Sequence, residues 1–312
     1  MWSEFFTASV LVATLASGIR LATPFLLAAL GEAIGQRSGV LNLGVEGVML
    51  IGAFGAYFTK LRTGSTLLAI GVALGVGLVM GLVYAFMTVV MHAEQGISGI
   101  GIFLFGLGFT DLVFQKQVGT PTPVPKLSAV EVPLLSDIPW IGEVLFQHSP
   151  LVYVAFLLVP IAWYVVNETT FGLDLRAVGE TPEAADTLGV SVARIRTQTI
   201  LIGNMMAGLA GGSLALEVAI FQQNLTAGQG FIAIALVYFG AWRPGGVMAG
   251  ALLFGIVSAT VLRLKTLGIV EGASSSLLAM APAVLTIVVL VIVSRRIAAP
   301  AALTRPFDRA TS

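Results

Sequence analysis

The sequence predicts an all-α protein, a polytopic bundle of transmembrane helices. Charged residues make up 10% of the 312 positions and hydrophobic residues 57%, whereas about a quarter of the residues in a soluble domain are charged. The mean hydropathy is +0.96. Since a helix that crosses a bilayer needs about 20 apolar residues, we expect about eight to ten spans. Several apolar runs are short or interrupted by glycine, which predicts re-entrant or broken helices among them.

The apolar runs follow one another along the whole chain. They predict spans at 7–30, 44–60, 65–91, 96–114, 150–167, 198–220, 229–242, 245–262 and 274–294. We expect residues 1–312 to form a single transmembrane domain. Two longer polar passages interrupt it: a proline-rich loop at 115–149 and a charged loop at 171–196.

Basic residues predict how the chain is oriented. The C-terminal tail sets four arginines against one acid, namely Arg295, Arg296, Arg305 and Arg309 against Asp308. The positive-inside rule then places the C-terminus in the cytoplasm of a bacterial inner membrane. Counting back four spans places 171–196 in the cytoplasm and 115–149 outside. Lys60 and Arg62 fall outside as well, against the rule, so the number and orientation of the N-terminal spans stay open.

Small residues recur at a spacing of four. The pairs are Gly71/Gly75, Gly77/Gly81, Gly208/Gly212 and Gly246/Gly250. Residues four apart lie on one face of a helix, and small ones let two helix backbones approach closely in lipid. These pairs therefore predict helix packing.

Two passages resemble each other, NLGVEG from Asn42 and NLTAGQG from Asn224. Each begins with Asn-Leu and leads through an acid or amide followed by glycine into an apolar helix. A true internal repeat would match transporters in which related halves meet at the substrate path. Glycine-rich membrane sequences also resemble each other by chance, and both interpretations remain open.

The composition argues against several classes of protein. The chain has no cysteine, and its two histidines, His92 and His148, are far apart, so we expect no disulfide and no metal centre. None of its lysines stands in a phosphate-binding loop, and no nucleophile elbow or paired metal motif is present. We therefore expect no catalytic residues and no ATP hydrolysis by this chain. Basic and acidic residues balance at 16 each, which gives no reason to expect nucleic-acid binding.

The charged loop contains the pattern of a short helix. Thr181 suits the N-cap, Pro182 the first helical position, Glu183 the positive end of the helix dipole and Gly189 the end. A helix of about two turns is marginal alone in water, so something must pack on it. The small side chains that follow Glu183 would permit the close approach of a partner. The alternative is an ordinary cytoplasmic loop with one helical turn.

The run GLDLRAVGETPEAADTLGVSVARIR, residues 172–196, resembles the cytoplasmic loop of permease subunits from bacterial ABC importers of the ribose and nucleoside class. The resemblance continues in GQRSGVLNLGVEGVMLIGAF (35–54), in 228–255 and in APAVLTIVVLVIVSRR (281–296). It is nearest to the shorter permease of nucleoside importers served by basic-membrane-protein-type lipoproteins. The resemblance implies that the helix around 182–188 is a coupling helix, which docks in a groove of a separate ATPase.

The same resemblance implies the function and the partners. The expected function is translocation of a nucleoside or a related small sugar-containing solute. The expected partners are an ABC ATPase that holds ATP and magnesium, a second permease in a heterodimer, an extracytoplasmic lipoprotein and membrane lipid. No cofactor is expected on this chain. The candidate ATPase-coupling residues are Arg176, Gly179, Glu180, Pro182, Glu183, Ala184, Ala185 and Gly189.

Polar residues within the apolar spans or just before them are candidates for the substrate pathway, because ionisable and amide groups are costly at membrane depth. These candidates are Asn42, Glu46, Asn204 and Gln229. Glu46 is alternatively a first-turn acid that stabilises a helix terminus, and Asn204 a hydrogen-bonding residue between helices. Two rival functions remain: an ion-coupled secondary transporter with Glu46 as proton carrier, and a related permease for simple sugars or branched-chain amino acids.

Overall fold

The computed structural model describes residues 7–269, 277–278, 280–293 and 298–308. Within these ranges twelve helices are numbered in chain order: α1 (Ala8–Arg37), α2 (Val45–Thr63), α3 (Thr66–Ala85), α4 (Gln95–Gln117), α5 (Ile141–Leu145), α6 (Pro150–Glu168), α7 (Thr170–Glu180), α8 (Pro182–Thr187), α9 (Val192–Val218), α10 (Gln229–Phe239), α11 (Pro244–Thr266) and α12 (Ala281–Val293). A π-helical turn, Phe86–Val90, continues α3. Two short strands, β1 (Val130–Glu131) and β2 (Gln147–His148), pair with each other.

Six of the described helices are long and apolar enough to cross a bilayer: α1, α3 with its π-helical turn, α4, α6, α9 and α11. This confirms the prediction of an all-α, multi-pass membrane protein. The predicted span 44–60 corresponds to α2, most of whose residues are buried within the bundle. The predicted spans 229–242 and 274–294 correspond to α10 and α12, which at 11 and 13 described residues are short for a crossing helix.

Helix α1 extends further than predicted, to Arg37 instead of residue 30. The predicted end falls where polar residues begin. In the structure Gln36 Nε2 donates a hydrogen bond of 3.1 Å to Glu32 Oε1, one turn earlier in the helix. Because each side chain has a partner, the polar turn stays both helical and buried.

Helix α9 lies at the centre of the bundle, where it packs against α1, α2 and α3. Backbones approach so closely that a Cβ on Gly77 of α3 would collide with the carbonyl of Asn204, and one on Gly208 with the carbonyl of Ala73. The glycine pairs 77/81 and 208/212 therefore mediate the packing of α3 on α9, as their spacing predicts.

The pair Gly71/Gly75 behaves differently. Nothing among the described residues lies within 4 Å of a Cβ built on either glycine. Both line an apolar groove of about 710 Å³ between α3 and α4, whose floor includes Ile51 and whose far wall includes Phe105 and Phe109. This pair leaves a concave surface open instead of joining two helices of the chain.

The proline-rich passage is mostly irregular, since prolines lack the amide hydrogen that helices and sheets require. It closes over one end of α2 and α9: Val124 N donates to Ala219 O at 2.8 Å, and Tyr57 Oη to Thr122 O at 2.7 Å. Strands β1 and β2 form a small antiparallel hairpin in which Val130 pairs with His148.

Residues 298–308, here called the C-terminal strap, run across the other end of the bundle. Ala302 N donates to the carbonyl of Gly179 at 2.9 Å, and Thr304 N to that of Gly39 at 3.1 Å. The buried Arg196 donates from Nη1 to the carbonyl of Arg305 at 2.9 Å. The strap thus joins the end of α7 to the turn after α1. The other tail arginines, at 295, 296 and 309, lie outside the described residues.

Candidate functional site

Glu46, in the first turn of α2, accepts three hydrogen bonds at the beginning of α10. Its Oε1 binds Thr226 Oγ1 at 2.6 Å and Gly228 N at 2.7 Å, and its Oε2 binds Gly230 N at 2.6 Å. The side chain is 1% exposed. The first amides of a helix carry a partial positive charge and lack partners within the helix. Glu46 therefore stabilises a helix terminus, as one interpretation of the sequence proposed, and that terminus belongs to α10 as well as to α2.

The two similar Asn-Leu passages meet at this point. A Cβ on Gly230 would lie 2.6 Å from both the Cα and the backbone nitrogen of Glu46, so the first turns of α2 and α10 are in direct backbone contact. Gly228, with φ at +88°, makes the turn that leads into α10. The short helix α10 thus begins inside the protein, fixed by a carboxylate from another helix.

Gln229, the first residue of α10, is half-buried beside this junction. Its Oε1 is buried and has no hydrogen-bond partner among the described residues. Two residues further, Phe231 is 40% exposed and packs edge-on against Phe103, with ring centroids 5.2 Å apart. An amide oxygen that lacks a partner retains its capacity to accept a hydrogen bond.

Asn42 and Asn204 bind each other. Asn42 Nδ2 donates to Asn204 Oδ1 at 3.1 Å, and Asn42 Oδ1 accepts from Gly44 N at 2.9 Å. Asn204 Nδ2 donates to Ile200 O at 2.9 Å. Both side chains are almost fully buried. Asn204 therefore joins α9 to the turn that precedes α2, and much of the capacity of both amides is used inside the protein.

Sequence reasoning missed three buried polar residues near the turn after α1, namely Glu32, Gln36 and Gln95. Glu32 Oε1 accepts from Asn42 N at 3.0 Å, and Gln36 Oε1 accepts from Trp242 Nε1 at 2.8 Å. Gln95 Oε1, at the beginning of α4, accepts from Leu41 N at 2.8 Å. An acid and an amide four residues apart in an apolar helix were the available signal, because such a pair is costly in lipid unless it is satisfied.

The candidate coupling helix is present as α8. Pro182 is its first residue, Glu183 lies in its first turn, and Gly189 follows it with φ at +89°. Thr181 occupies the N-cap position as predicted, although its side chain makes no capping hydrogen bond. Its carbonyl instead accepts from Ala185 N at 3.0 Å.

The eight candidate coupling residues divide into two sets. The exposed set is Glu180, Glu183, Ala184 and Gly189, and the buried or half-buried set is Arg176, Gly179, Pro182 and Ala185. Ala185 points into the core of this chain, so it is not placed to admit a partner as predicted. A Cβ on Gly179 would collide with the carbonyl of Arg37.

Leu188 was not among the predicted coupling residues. It follows α8 directly, and its side chain is 85% exposed. One exposed apolar side chain is ordinary on a protein surface, but Leu188 lies next to the exposed positions Glu183 and Ala184 of the candidate coupling helix. The signal was in the sequence, since it is the bulkiest apolar side chain between Pro182 and Gly189.

Comparison with known proteins gives a family for most of the chain. Residues 14–293 match the family described as "Branched-chain amino acid transport system / permease component". The match includes all six candidate spans except the first residues of α1.

Three relatives are similar over most of their length. A protein of Haloferax volcanii described as a candidate glucose ABC transporter permease, TsgC13, is 39% identical over 85% of this chain and 80% of its own length. The guanosine ABC transporter permease protein NupQ of Bacillus subtilis is 35% identical over 86% and 88%. The nucleoside ABC transporter permease protein NupC of Lactococcus lactis is 34% identical over 90% and 92%.

Proposed function

Because the chain belongs to the family of branched-chain amino acid transport system permease components, we propose that it is the permease subunit of an ABC importer that translocates nucleosides. Two relatives of this chain, similar along nearly their full length, are described as guanosine and nucleoside permeases. The relative TsgC13 is described as a glucose permease, so a sugar is the second candidate substrate. All three descriptions fit a small sugar-containing solute.

The observation that carries the proposal is the exposed surface formed by α8 and Leu188. A helix of six residues is too short to be stable alone in water. Here Pro182 and Ala185 fix it to the core, while Glu183, Ala184 and Leu188 face outward. Such a surface supports docking to a separate ATPase, on which ATP and magnesium would bind.

The rival with Glu46 as proton carrier is less well supported. Three donors already point at the carboxylate oxygens of Glu46. A proton on either oxygen would displace at least one of them from a buried position, which costs about 1–3 kcal/mol. The arrangement suits a residue that holds the beginning of α10 in place.

The strap supports the predicted orientation. Its Ala302 N donates a hydrogen bond to the carbonyl of Gly179, so the described C-terminal residues and the charged loop 171–196 lie together at one end of the bundle. The basic tail assigns that end to the cytoplasm of a bacterial inner membrane. The proline-rich passage 115–149 then faces outward, where a substrate-binding lipoprotein would deliver the solute.

The test is transport by the complex reconstituted in vesicles with its ATPase, second permease and binding protein. Supplied with a panel of nucleosides, free bases and sugars, the vesicles should accumulate nucleosides only with ATP inside. The chain alone, under a proton gradient, should accumulate none. Uptake by the isolated chain would overturn the proposal that it is an ABC permease. Uptake of glucose but not of nucleosides would overturn only the proposed substrate.

A further inference from the structure

Three arginines meet where three spans end. Arg37 is the last residue of α1, Arg243 directly precedes α11, and Arg176 lies on α7 just beyond α6. The positive charges of Arg176 and Arg243 are close enough to repel that of Arg37. Glu180 is the acid whose negative charge acts on Arg37 there. In the part of the chain that the structure describes, none of the three forms an ion pair. The cluster therefore keeps an excess of positive charge.

The arginines border two neighbouring cavities. The larger, of about 510 Å³, is lined by Arg37, Trp163, Asn167, Arg243, Pro244, Gly245 and Gly246. The smaller, of about 230 Å³, shares Arg37 and adds Arg176, Glu180 and Trp242. The larger cavity is within the size range of small-molecule sites.

The N-terminus of α11 adds to the positive charge of the larger cavity. The first turn of α11 contains Gly245 and Gly246, and no side chain caps it. Gly245 is exposed, and nothing lies within 4 Å of a Cβ built on it. Open amides at a helix N-terminus bind phosphate and other anions.

An apolar surface leads away from this cavity along α6. Leu157, Ile161 and Tyr164 are 61%, 46% and 58% exposed, and Trp163, which lines the cavity, is 50% exposed. Tryptophan and tyrosine concentrate at the level of lipid headgroups. The cavity thus lies at that level, with aliphatic side chains on the membrane side of it. An anion that also carries acyl chains would use both features, whereas free phosphate would use only the first.

We propose that Arg37, Arg176, Arg243 and the N-terminus of α11 bind the phosphate of an anionic phospholipid whose acyl chains lie along α6. The phosphate replaces the missing carboxylate partner of the cluster. The bound lipid joins α1, α6 and α11 beside the charged loop 171–196. The site does not depend on which solute the complex carries.

Two substitutions of one residue test the site without removing an arginine. In Gly245→Asp the new carboxylate repels phosphate, yet an acid suits the first turn of a helix and should leave folding intact. Gly245→Ala adds a side chain without charge and is the matched control. A second pair is Arg243→Gln with the control Arg194→Gln, because Arg194 is an exposed arginine in the first turn of α9 that lines neither cavity.

The measurements are native mass spectrometry for retained lipid, and the melting temperature of the purified protein with added phosphatidylglycerol, phosphatidylcholine or inorganic phosphate. Phosphatidylglycerol alone should raise the melting temperature of the original chain and of both controls. Gly245→Asp should lose this response, and Arg243→Gln should need about fivefold more phosphatidylglycerol. An unchanged response in Gly245→Asp would overturn the site. An equal rise in melting temperature with inorganic phosphate would show that the ligand is free phosphate and not a lipid. A Gly245→Asp variant that keeps its lipid but no longer binds the partner ATPase would show that the cluster is an ATPase contact, and would also overturn the proposal.

Discussion

Gln229 and Glu46 lie side by side at the beginning of α10, but only Glu46 has its hydrogen-bonding capacity used. We expect Gln229→Leu to lower transport strongly while leaving thermal stability and basal ATP hydrolysis near their original values. The substitution removes a buried oxygen that has no partner, so folding loses nothing. Transport assays and melting curves on the same preparation measure the two effects. Transport at the original rate would show that Gln229 does not line the substrate pathway.

Glu46→Gln should have the opposite effect, with a larger loss of stability than of transport. The new amide group would place N–H groups against the N–H of Gly228 or Gly230, which leaves a buried donor without an acceptor. We expect a loss of about 1–3 kcal/mol in the free energy of unfolding. Transport should fall only as far as α10 is displaced. A stable variant without transport would instead show that the carboxylate acts on the solute itself.

The sequence indicated these residues but not their contacts. Asn42, Glu46, Asn204 and Gln229 stood out because polar groups are rare in apolar spans. Which of them faced a partner depended on contacts between residues more than 150 positions apart, such as Asn42 with Asn204. No local pattern encodes such distances.

At the scale of an element, α8 and Leu188 should determine coupling. Leu188→Asp should leave the chain folded, because the side chain is 85% exposed, and abolish substrate-stimulated ATP hydrolysis in the assembled complex. Leu188→Met is the matched control and should retain it. Ala184→Arg, also at an exposed position, should act like Leu188→Asp. Normal stimulation in both assembled variants would exclude this surface as the docking site.

Gly189→Pro tests the same element less cleanly. Gly189 has φ at +89°, and proline requires about −65°. The turn itself would break, so a loss of coupling would not identify a contact. The sequence predicted the start and end of α8 through proline and glycine, whereas the face that α8 presents outward was set by packing on the core.

The hairpin of β1 and β2 should respond to pH through His148. Burial lowers the pKa of His148 below its usual 6.5. The folded hairpin therefore resists protonation that the unfolded segment accepts, and its stability should be full above about pH 6.5 and fall as the pH drops through that value. Hydrogen exchange at Val130 and Glu131 measures this opening. His148→Leu should remove the pH dependence. An unchanged pH profile in this variant would show that another group causes the pH dependence.

At the scale of the whole molecule, two exposed apolar surfaces differ in shape. The groove between α3 and α4 is concave, with open glycines at 71 and 75. The outer face of α6 carries bulky aliphatic side chains and ends in aromatic ones. Small residues suit a protein interface in lipid, and an aromatic border suits lipid itself. The glycine spacing predicted helix packing, but only the fold shows which pair is left open.

We therefore expect the second permease to pack against the groove. Gly75→Phe should sharply reduce the amount of second permease that co-purifies with the tagged chain, because the ring would fill the surface that a partner helix needs. The isolated chain should keep its melting temperature, since nothing described lies within 4 Å of a Cβ at this position. Gly75→Ala should have a small effect, and Leu157→Phe on α6 should have none. Full co-purification with Gly75→Phe, together with a loss in Leu157→Phe, would place the interface on α6 and would also contradict the lipid site.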